Sequence, residues 1–311
     1  MIKFLTTRST PTKGLLRYLI CPDPDLLGSL AEQSASSSGE VRERINADFS
    51  RIVSSIRIGD AWKRTGPQRL ERANHALARH IKRCRPGASV VLDVGGSDGV
   101  TTVELVRHLR RELHTDVRAF LLDLFIRLHR YDSKWLKEYR SALGHPVMVR
   151  IGRFGLRLAD LDSTPDPTAR FLGRFYLSRK RYRGALDLAE EISLINPRVQ
   201  DEGAIHVIEG DMFDRNESFV DAIDVVRACN VLNLSYFSEE RIKRALSHFH
   251  SYLRADGLLL VSRNFDPDSG NVERGSVWRR ADTGFEPLED FGGGSDIAYI
   301  VNDLQIGPGD R

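Results

Sequence analysis

The sequence predicts an α/β protein built on a doubly wound, mostly parallel sheet. Short apolar segments rich in β-branched residues alternate with helical segments, a glycine-rich turn follows the first of those apolar segments, and a hairpin pattern lies near the end of the chain. Strands of a parallel sheet are covered on both faces, so continuous apolar runs that alternate with helices are typical of this class.

Five apolar segments predict the strands of the sheet. They span residues 89–93, 117–122, 205–208, 222–226 and 257–262. Apolar positions spaced by three and four predict helices over 40–60, 67–86, 101–113 and 239–253. Segments 275–280 and 285–291 flank a turn that contains Gly284, which predicts a terminal hairpin at one edge of the sheet.

The alternation of strands and helices stops between residues 124 and 203. This interval is far too long for one crossover, so it predicts an inserted subdomain. Inside it, residues 147–151 and 156–158 predict a hairpin, and residues 185–193 predict a helix. The predicted domains are an N-terminal helical extension (1–66), a core (67–123 and 204–311) and the insertion (124–203). We expect the extension and the insertion to act as lids that select the substrate.

The composition argues against a strongly basic nucleic-acid-binding chain. The 311 residues include 46 basic and 43 acidic side chains, a net charge of +3, so we do not expect a nucleic-acid partner. Cys21, Cys84 and Cys229 lack the spacing of metal ligands or of a disulfide framework, which favours a cytoplasmic location and no metal site. No apolar run is long enough to predict a transmembrane helix, and the start of the chain does not have the pattern of a signal peptide.

The main motif is Val90-Val-Leu-Asp-Val-Gly-Gly-Ser-Asp-Gly99, where a buried strand turns sharply into a helix. Gly95 and Gly99 allow the backbone to turn and to approach a ligand closely. The nucleotide-binding fingerprint G-x-G-x-x-G is not matched. Ser97 occupies the position of its second glycine, and the next glycine, Gly99, comes only two residues later. The segment instead resembles motif I of class I S-adenosylmethionine (SAM)-dependent methyltransferases, an acidic residue followed by G-x-G-x-G, with Ser97 at the middle glycine.

This resemblance implies a Rossmann-like sheet of seven strands, the last one antiparallel, with SAM as cofactor. Asp93 would meet the amino group of SAM directly or through water, Asp123 would accept both ribose hydroxyls, and Asp211 would contact the adenine amino group. Phe213 would either border the adenine or pack in the core. The cofactor-binding residues that the resemblance implies are Asp93, Gly95, Gly96, Ser97, Gly99, Asp123, Asp211, Met212, Phe213, Cys229 and Asn230.

Methyl transfer is a direct displacement, so positioning supplies much of the acceleration, but an oxygen or nitrogen acceptor can also require a general base. The catalytic residues are not determined by the sequence. Weak candidates for the base are His129, Tyr131, His145 and Tyr236. Other histidines are expected to be structural: His206 packed within its strand, and His248 and His250 on the surface of a helix.

The resulting hypothesis is a methyltransferase acting on an O or N acceptor of a small molecule or peptide. A non-catalytic SAM-binding partner or sensor with the same fold is the alternative. Residues 227–238 have some similarity to chemotaxis-receptor methyltransferases, which makes a protein carboxylate methyltransferase a minor alternative. An enzyme that uses NAD or a nucleotide sugar is disfavoured by the unmatched fingerprint. Many members of the family dimerise, so a homodimer is considered.

Residues 170–183 form a basic segment with six basic side chains, four aromatic ones and no acidic ones. It could form a lid for an acidic substrate that carries phosphate, carboxylate or lipid groups. It could also contact RNA by stacking its aromatic rings on bases. The third interpretation is a solvated helix whose aromatic rings pack down on the domain. The sequence leaves these three open.

Overall fold

A computed structural model describes residues 23–58, 61–63, 65–84, 87, 89–133, 135–152, 154–158, 167–178, 187–264 and 272–307. The chain divides into two compact units, which are treated separately below. The first unit comprises the described residues of Met1–Gly66 and Phe125–Pro197. The second comprises those of Pro67–Leu124 and Arg198–Arg311.

The helices are α1 (Leu26–Ala35), α2 (Gly39–Ser54), α3 (Glu71–Cys84), α4 (Val100–Leu113), α5 (Pro167–Ser178), α6 (Pro197–Glu202), α7 (Glu239–Tyr252) and α8 (Ala298–Asn302). The strands are β1 (Arg57–Ile58), β2 (Ala61–Trp62), β3 (Val90–Val94), β4 (Arg118–Asp123), β5 (Arg127–Asp132), β6 (Lys137–Ser141), β7 (Pro146–Ile151), β8 (Phe154–Arg157), β9 (Asp187–Ser193), β10 (Ile205–Glu209), β11 (Ile223–Cys229), β12 (Leu253–Asn264), β13 (Glu273–Ala281) and β14 (Gly284–Phe291). None of the helices in the described parts of the chain is long and apolar enough to cross a membrane.

The second unit contains a seven-stranded sheet in the order β10-β4-β3-β11-β12-β13-β14. The first five of these strands pair in parallel. The predicted α/β fold and the predicted terminal hairpin are thereby confirmed. The direction of the sheet reverses first at β13, which is antiparallel to β12, and the last strand, β14, is in turn antiparallel to β13.

The core of the second unit follows from continuous apolar strands and one-sided helices. All seven residues of β11 are buried, as expected for a strand covered on both faces. Helix α7 buries Ile242, Ala245, Leu246 and Phe249, which lie on one face because they are three or four residues apart. Trp278 on β13 is 1% exposed in the same core, and its indole N–H donates to Asn302.

The first unit contains a five-stranded antiparallel sheet in the order β8-β7-β6-β5-β9. Its β7–β8 pair is the hairpin predicted over 147–158. The helix predicted over 185–193 is wrong, because the segment from Asp187 pairs with β5 as the edge strand β9. There, Glu190 and Glu191 accept hydrogen bonds from Arg130 and Arg127 of β5, contacts that the local pattern of apolar residues does not contain.

Another difference concerns the helix predicted over residues 40–60. Helix α2 ends at Ser54, and the next residues form the short antiparallel pair β1–β2. The first of these strands contains Ile58, which is buried. Ile56, which is 1% exposed and lies beyond the end of the helix, is four residues after Ile52 and so continues the helical spacing of apolar positions. The sequence pattern therefore extended the helix too far.

Candidate functional site

The glycine-rich loop joins β3 to α4 at the carboxyl edge of the parallel strands. Gly95, Ser97 and Gly99 all have left-handed backbone angles, with φ of 71°, 58° and 86°. A Cβ atom on Gly95 would lie 2.7 Å from the Cβ of Val231, and one on Gly99 would overlap Val199. Glycine is therefore required at both positions by conformation and by space. Ser97 holds the same left-handed conformation at a steric cost.

The loop is hydrogen-bonded to the end of the neighbouring strand β4. The Ser97 N–H donates to Oδ2 of Asp123 over 2.8 Å, and the Gly95 N–H donates to the carbonyl of Leu122 over 2.7 Å. The Gly210 N–H, beyond β10, donates to the carbonyl of Asp123 over 3.0 Å. These bonds fix the half-buried Asp123 carboxylate beside the loop and between two strand ends.

The end of β10 forms a turn that supports a second carboxylate. Oδ1 of Asp211 accepts a hydrogen bond from the Phe213 N–H over 3.0 Å. The Phe213 ring is 4% exposed and packs edge-on against Phe237, with the Arg241 guanidinium 4.1 Å from its centroid. Met212 is 8% exposed in the same core. Phe213 thus packs in the core, and the half-buried Asp211 lies next to it.

Beyond β11, two asparagines clamp the ends of adjacent strands. The Asn230 side chain donates to Oδ1 of Asn264 over 2.9 Å and accepts the Asn264 N–H over 2.7 Å. Asn230 has a φ of 62°, a left-handed conformation that asparagine tolerates better than most residues. Cys229, just before it, is 7% exposed and accepts the Ser262 hydroxyl. Burial raises the pKa of the Cys229 thiol to about 12.

The Asp93 carboxylate is buried below the loop and paired with an arginine. Asp93 is 2% exposed and accepts two hydrogen bonds from Arg227, at 2.8 and 2.6 Å, and one from the Thr102 hydroxyl. Arg227 is fully buried and also donates to Asn74 over 2.9 Å. Burial alone would lower the pKa of Arg227, but the attraction of Asp93 raises it above its ordinary value.

Sequence reasoning did not identify Arg227 or Glu273 as members of this region. Glu273 is 5% exposed, and its Oε2 accepts the N–H groups of Arg72 and Ala73 at 3.0 and 3.3 Å. A carboxylate at the start of α3 interacts favourably with the helix dipole, although burial raises the pKa of Glu273. The available signal for Arg227 was a charged residue inside the apolar run 223–229.

Comparison with known proteins finds distant similarity among solved structures. No protein-family model and no curated protein matches the chain. The chain is similar to SAM-bound CalS10, an amino pentose methyltransferase from Micromonospora echinaspora (14% identity, TM-score 0.30, covering 68% of this chain and 63% of that one). It is also similar to the mitomycin 7-O-methyltransferase MmcR (16%, 0.31, 77% and 43%) and to the N-methyltransferase NodS from Bradyrhizobium japonicum WM9 in complex with S-adenosylhomocysteine (15%, 0.29, 63% and 65%). The chain spans less than two thirds of the length of each of these three proteins.

The strand order and the position of the loop decide the fold. The order of strands reverses between β3 and β11, and the Gly95 backbone packs against Val231 at that point. Ligands of open α/β sheets bind in the crevice at such a reversal. The chain has a Rossmann-like, doubly wound α/β fold. The cofactor residues predicted from the sequence lie on the carboxyl ends of β3, β4, β10 and β11, or in the turns that follow these strands.

The four candidate bases are divided between the two units of the chain. In the first unit, His129 and Tyr131 lie on β5, with Arg140 stacked 4.1 Å from the Tyr131 ring, and His145 is exposed in the turn after β6. In the second unit, Tyr236 is 46% exposed in the turns after β11. Their role as bases stays a prediction.

Three other histidines differ from expectation. His206 is exposed on the edge strand β10 rather than packed, with its ring 5.6 Å from that of Phe120. His250 is 2% exposed rather than on the surface, and its Nε2 lies 2.8 Å from the carbonyl of Ala281. His248 is half-buried near the carbonyl of Met212. For His248 and His250 the predictions were wrong because they used the helix alone, whereas α7 is covered here by the terminal hairpin and the turn after β10.

A cavity of about 470 Å³ lies at the opposite, amino-terminal edge of the sheet. It is lined by Ser89, Arg110, Arg118 and His206, among others, and by none of the predicted cofactor residues. It is therefore separate from the glycine-rich loop. Within the described residues, no group of three or more His, Cys, Asp or Glu side chains is arranged to hold a metal ion.

Proposed function

We propose that the protein is a SAM-dependent methyltransferase that acts on an O or N acceptor of a small molecule or peptide. The observation that carries the proposal is the hydrogen bond from the Ser97 N–H to Asp123, which joins the glycine-rich loop to an acidic strand end. The loop that donates this bond follows β3, the strand from which the order reverses towards β11, at the edge where ligands of open α/β sheets bind.

The chemistry of these side chains fits SAM. Carboxylates have two oxygens with several acceptor positions, so Asp123 can accept from ribose hydroxyls and Asp211 from the adenine amino group. The start of α4 suits the carboxylate of the amino-acid tail, because helix N-termini attract anions. When bound, SAM supplies an electrophilic methyl group. Asp93 supports this site from below, through its ion pair with Arg227 on the adjacent strand β11.

The residues of the chain would then hold the donor in one orientation and exclude water while the acceptor approaches. Asn230 contributes by fixing the turn after β11 against β12 through its bonds with Asn264. For the base, the proposal keeps Tyr236, His129, Tyr131 and His145 as candidates. We propose an acidic molecule as the substrate, because the positive charge of the basic segment 170–183 would attract it.

The first test is calorimetric titration with SAM and with S-adenosylhomocysteine. We expect micromolar binding by the wild type and at least tenfold weaker binding by Asp123→Ala. The matched control is Asp116→Ala, which removes an exposed carboxylate just before the other end of the same strand. Control binding should equal that of the wild type. Absence of binding to the folded wild type would overturn the proposal.

The second test separates an enzyme from a non-catalytic SAM-binding sensor. Purified protein with methyl-labelled SAM is offered acidic small molecules, peptides and lipids, and label in the acceptor is measured. Transfer that is lost in Asp123→Ala supports the enzyme. Binding of SAM without transfer to any acceptor, including peptide glutamates, would favour the sensor.

The proposal also includes a reducing, cytoplasmic location and considers a homodimer. Cys84 and Cys229 are free thiols in the structure, and Cys21 lies outside the described residues. Free thiols persist best where glutathione and thioredoxin keep them reduced. Light scattering on the purified protein measures whether the chain is a monomer or a dimer.

A further inference from the structure

Helix α5 of the first unit has apolar side chains on two sides. Tyr176 and Leu177 pack on a small cluster with Val149 and Leu158. On another side, Phe171 is 67% exposed, Leu172 is 40% exposed and Phe175 is 48% exposed. We call these three residues the apolar ridge. The packing of aromatic residues on the domain, considered for this segment from the sequence, thus holds for Tyr176 and not for the two phenylalanines.

Such a ridge is unusual on a helix that already uses one face to pack. A helix that is apolar on more than one side is normally covered on each of them, and clustered exposed apolar residues mark interaction sites. Phe171 and Phe175 are four residues apart and stack with their ring centroids 6.3 Å apart. They therefore form one continuous apolar surface.

Positive charge borders the apolar ridge. Arg170 and Arg174 lie on α5 next to the two phenylalanines in sequence. The segment that continues to Arg183 adds four more basic residues and no acidic ones. Residues 179–183 lie outside the described residues, so only their composition enters the argument. The complementary partner is negatively charged and presents an apolar phase for the phenylalanine rings.

We propose that α5 docks the first unit on an anionic lipid bilayer, lying in the plane of the membrane surface. The apolar ridge would insert at the boundary of headgroups and acyl chains, and the flanking arginines would contact lipid phosphates. Trp135 is 75% exposed and directly precedes Leu136, which packs in the same small cluster as Tyr176. Tryptophan is enriched at membrane surfaces, so its position supports the same orientation. The inference does not depend on methyl transfer.

The geometry of the ridge favours lipid over RNA. A base stacks on the open face of an aromatic ring, and the stacking of Phe171 on Phe175, with an interplanar angle of 23°, leaves at most one open face on each ring. Leu172 adds an aliphatic side chain, which has no π-face for a base but buries well in hydrocarbon. Attraction between anionic lipid headgroups and the arginines would supply the electrostatic part of the binding.

The test is sedimentation of the full-length protein with vesicles. The vesicles are phosphatidylcholine alone, or phosphatidylcholine with phosphatidylserine as about one lipid in four. We expect binding only to the second kind, weakening as salt is raised. The double variant Phe171→Ser/Phe175→Ser should bind at least tenfold more weakly. The matched control is Leu143→Ser, which replaces an exposed leucine in the turn after β6, away from Trp135 along the strand, and should bind like the wild type.

A second variant keeps the proposal testable if the double serine variant does not fold, as judged by circular dichroism. Arg170→Gln/Arg174→Gln keeps the ridge and should reduce both the affinity for phosphatidylserine vesicles and its dependence on salt. Failure of the wild type to bind phosphatidylserine vesicles would overturn the proposal. So would equal binding by the wild type and a folded double serine variant. Binding to single-stranded RNA, lost in that variant while vesicles are ignored, would overturn it in favour of RNA.

Discussion

Removing the arginine that neutralises Asp93 should destabilise the second unit strongly. Arg227 is fully buried and makes three hydrogen bonds to side chains, two of them to Asp93. The variant Arg227→Met keeps a long side chain that fills much of the same space, but it removes the charged guanidinium. Asp93, itself 2% exposed, would keep its bond from the Thr102 hydroxyl and lose its countercharge.

The expected loss is about 3–5 kcal/mol of the free energy of unfolding, the usual cost of leaving one charge of a buried pair alone. Total stabilities are typically about 5–15 kcal/mol, so the variant would lose a large share. The double variant Asp93→Leu/Arg227→Met removes both charges. It should recover at least about 2 kcal/mol, because the penalty comes from the orphaned charge and not from the missing bonds alone.

Urea denaturation followed by tryptophan fluorescence measures these differences. Trp278 is 1% exposed in the second unit, so its emission reports the loss of that core. The control is Arg107→Met, which removes an exposed arginine while Arg110 keeps its ion pair with Glu202, and it should cost less than about 1 kcal/mol. The reasoning is refuted if Arg227→Met costs no more than the control, or if the double variant loses the sum of the two single losses.

Three further predictions concern the same region. Ser97→Val should lower the free energy of unfolding by about 1–2 kcal/mol in urea, and Ser97→Gly should not, because Ser97 is left-handed. Since the pKa of Glu273 is raised by burial, the folded state holds this proton more tightly. Stability should therefore fall as pH rises from the ordinary glutamate range to the raised pKa, and a Glu273→Gln curve as steep as the wild-type curve would contradict this. With a pKa of about 12, only about one Cys229 thiol in ten thousand is ionised at pH 8, so iodoacetamide should modify the partly exposed Cys84 first, as followed by mass spectrometry. Rapid labelling of native Cys229 would show that the thiol is more accessible than the structure has it.

The strands and the loop were predictable because their signals are local. The runs at 90–94 and 223–229 consist mostly of apolar residues without alternation, which is what burial between two layers of helices requires. The glycines of the loop are set by backbone conformation and by close contact with Val231 and Val199. A sequence read in windows of ten residues contains the strand runs and the glycine spacing, whereas the two valines lie far from the loop in the sequence.

Features that depend on a distant partner were not predictable in this way. The pairing of Asp93 with Arg227 joins residues 134 positions apart. The segment 187–193 has apolar residues compatible with a helix, and only the presence of β5 beside it makes it a strand. His250 is buried because Ala281, in the terminal hairpin, lies over its end of α7. Local propensity is a weak preference that such tertiary contacts override.

The two acidic residues at the ends of β3 and β4 show that residue type alone does not distinguish a carboxylate that stabilises the fold from one that is available to bind a ligand. Asp93 and Asp123 close adjacent parallel strands and have the same side chain. Asp93 is buried, and an arginine that is itself buried compensates its charge, so its contribution is to hold the strand end. Asp123 is half-buried, and the backbone N–H of Ser97 orients its carboxylate. A cationic or hydroxyl-bearing ligand gains more from a carboxylate that has some access to solvent. The difference in burial therefore makes Asp123, rather than Asp93, the carboxylate whose removal should separate loss of ligand binding from loss of the fold.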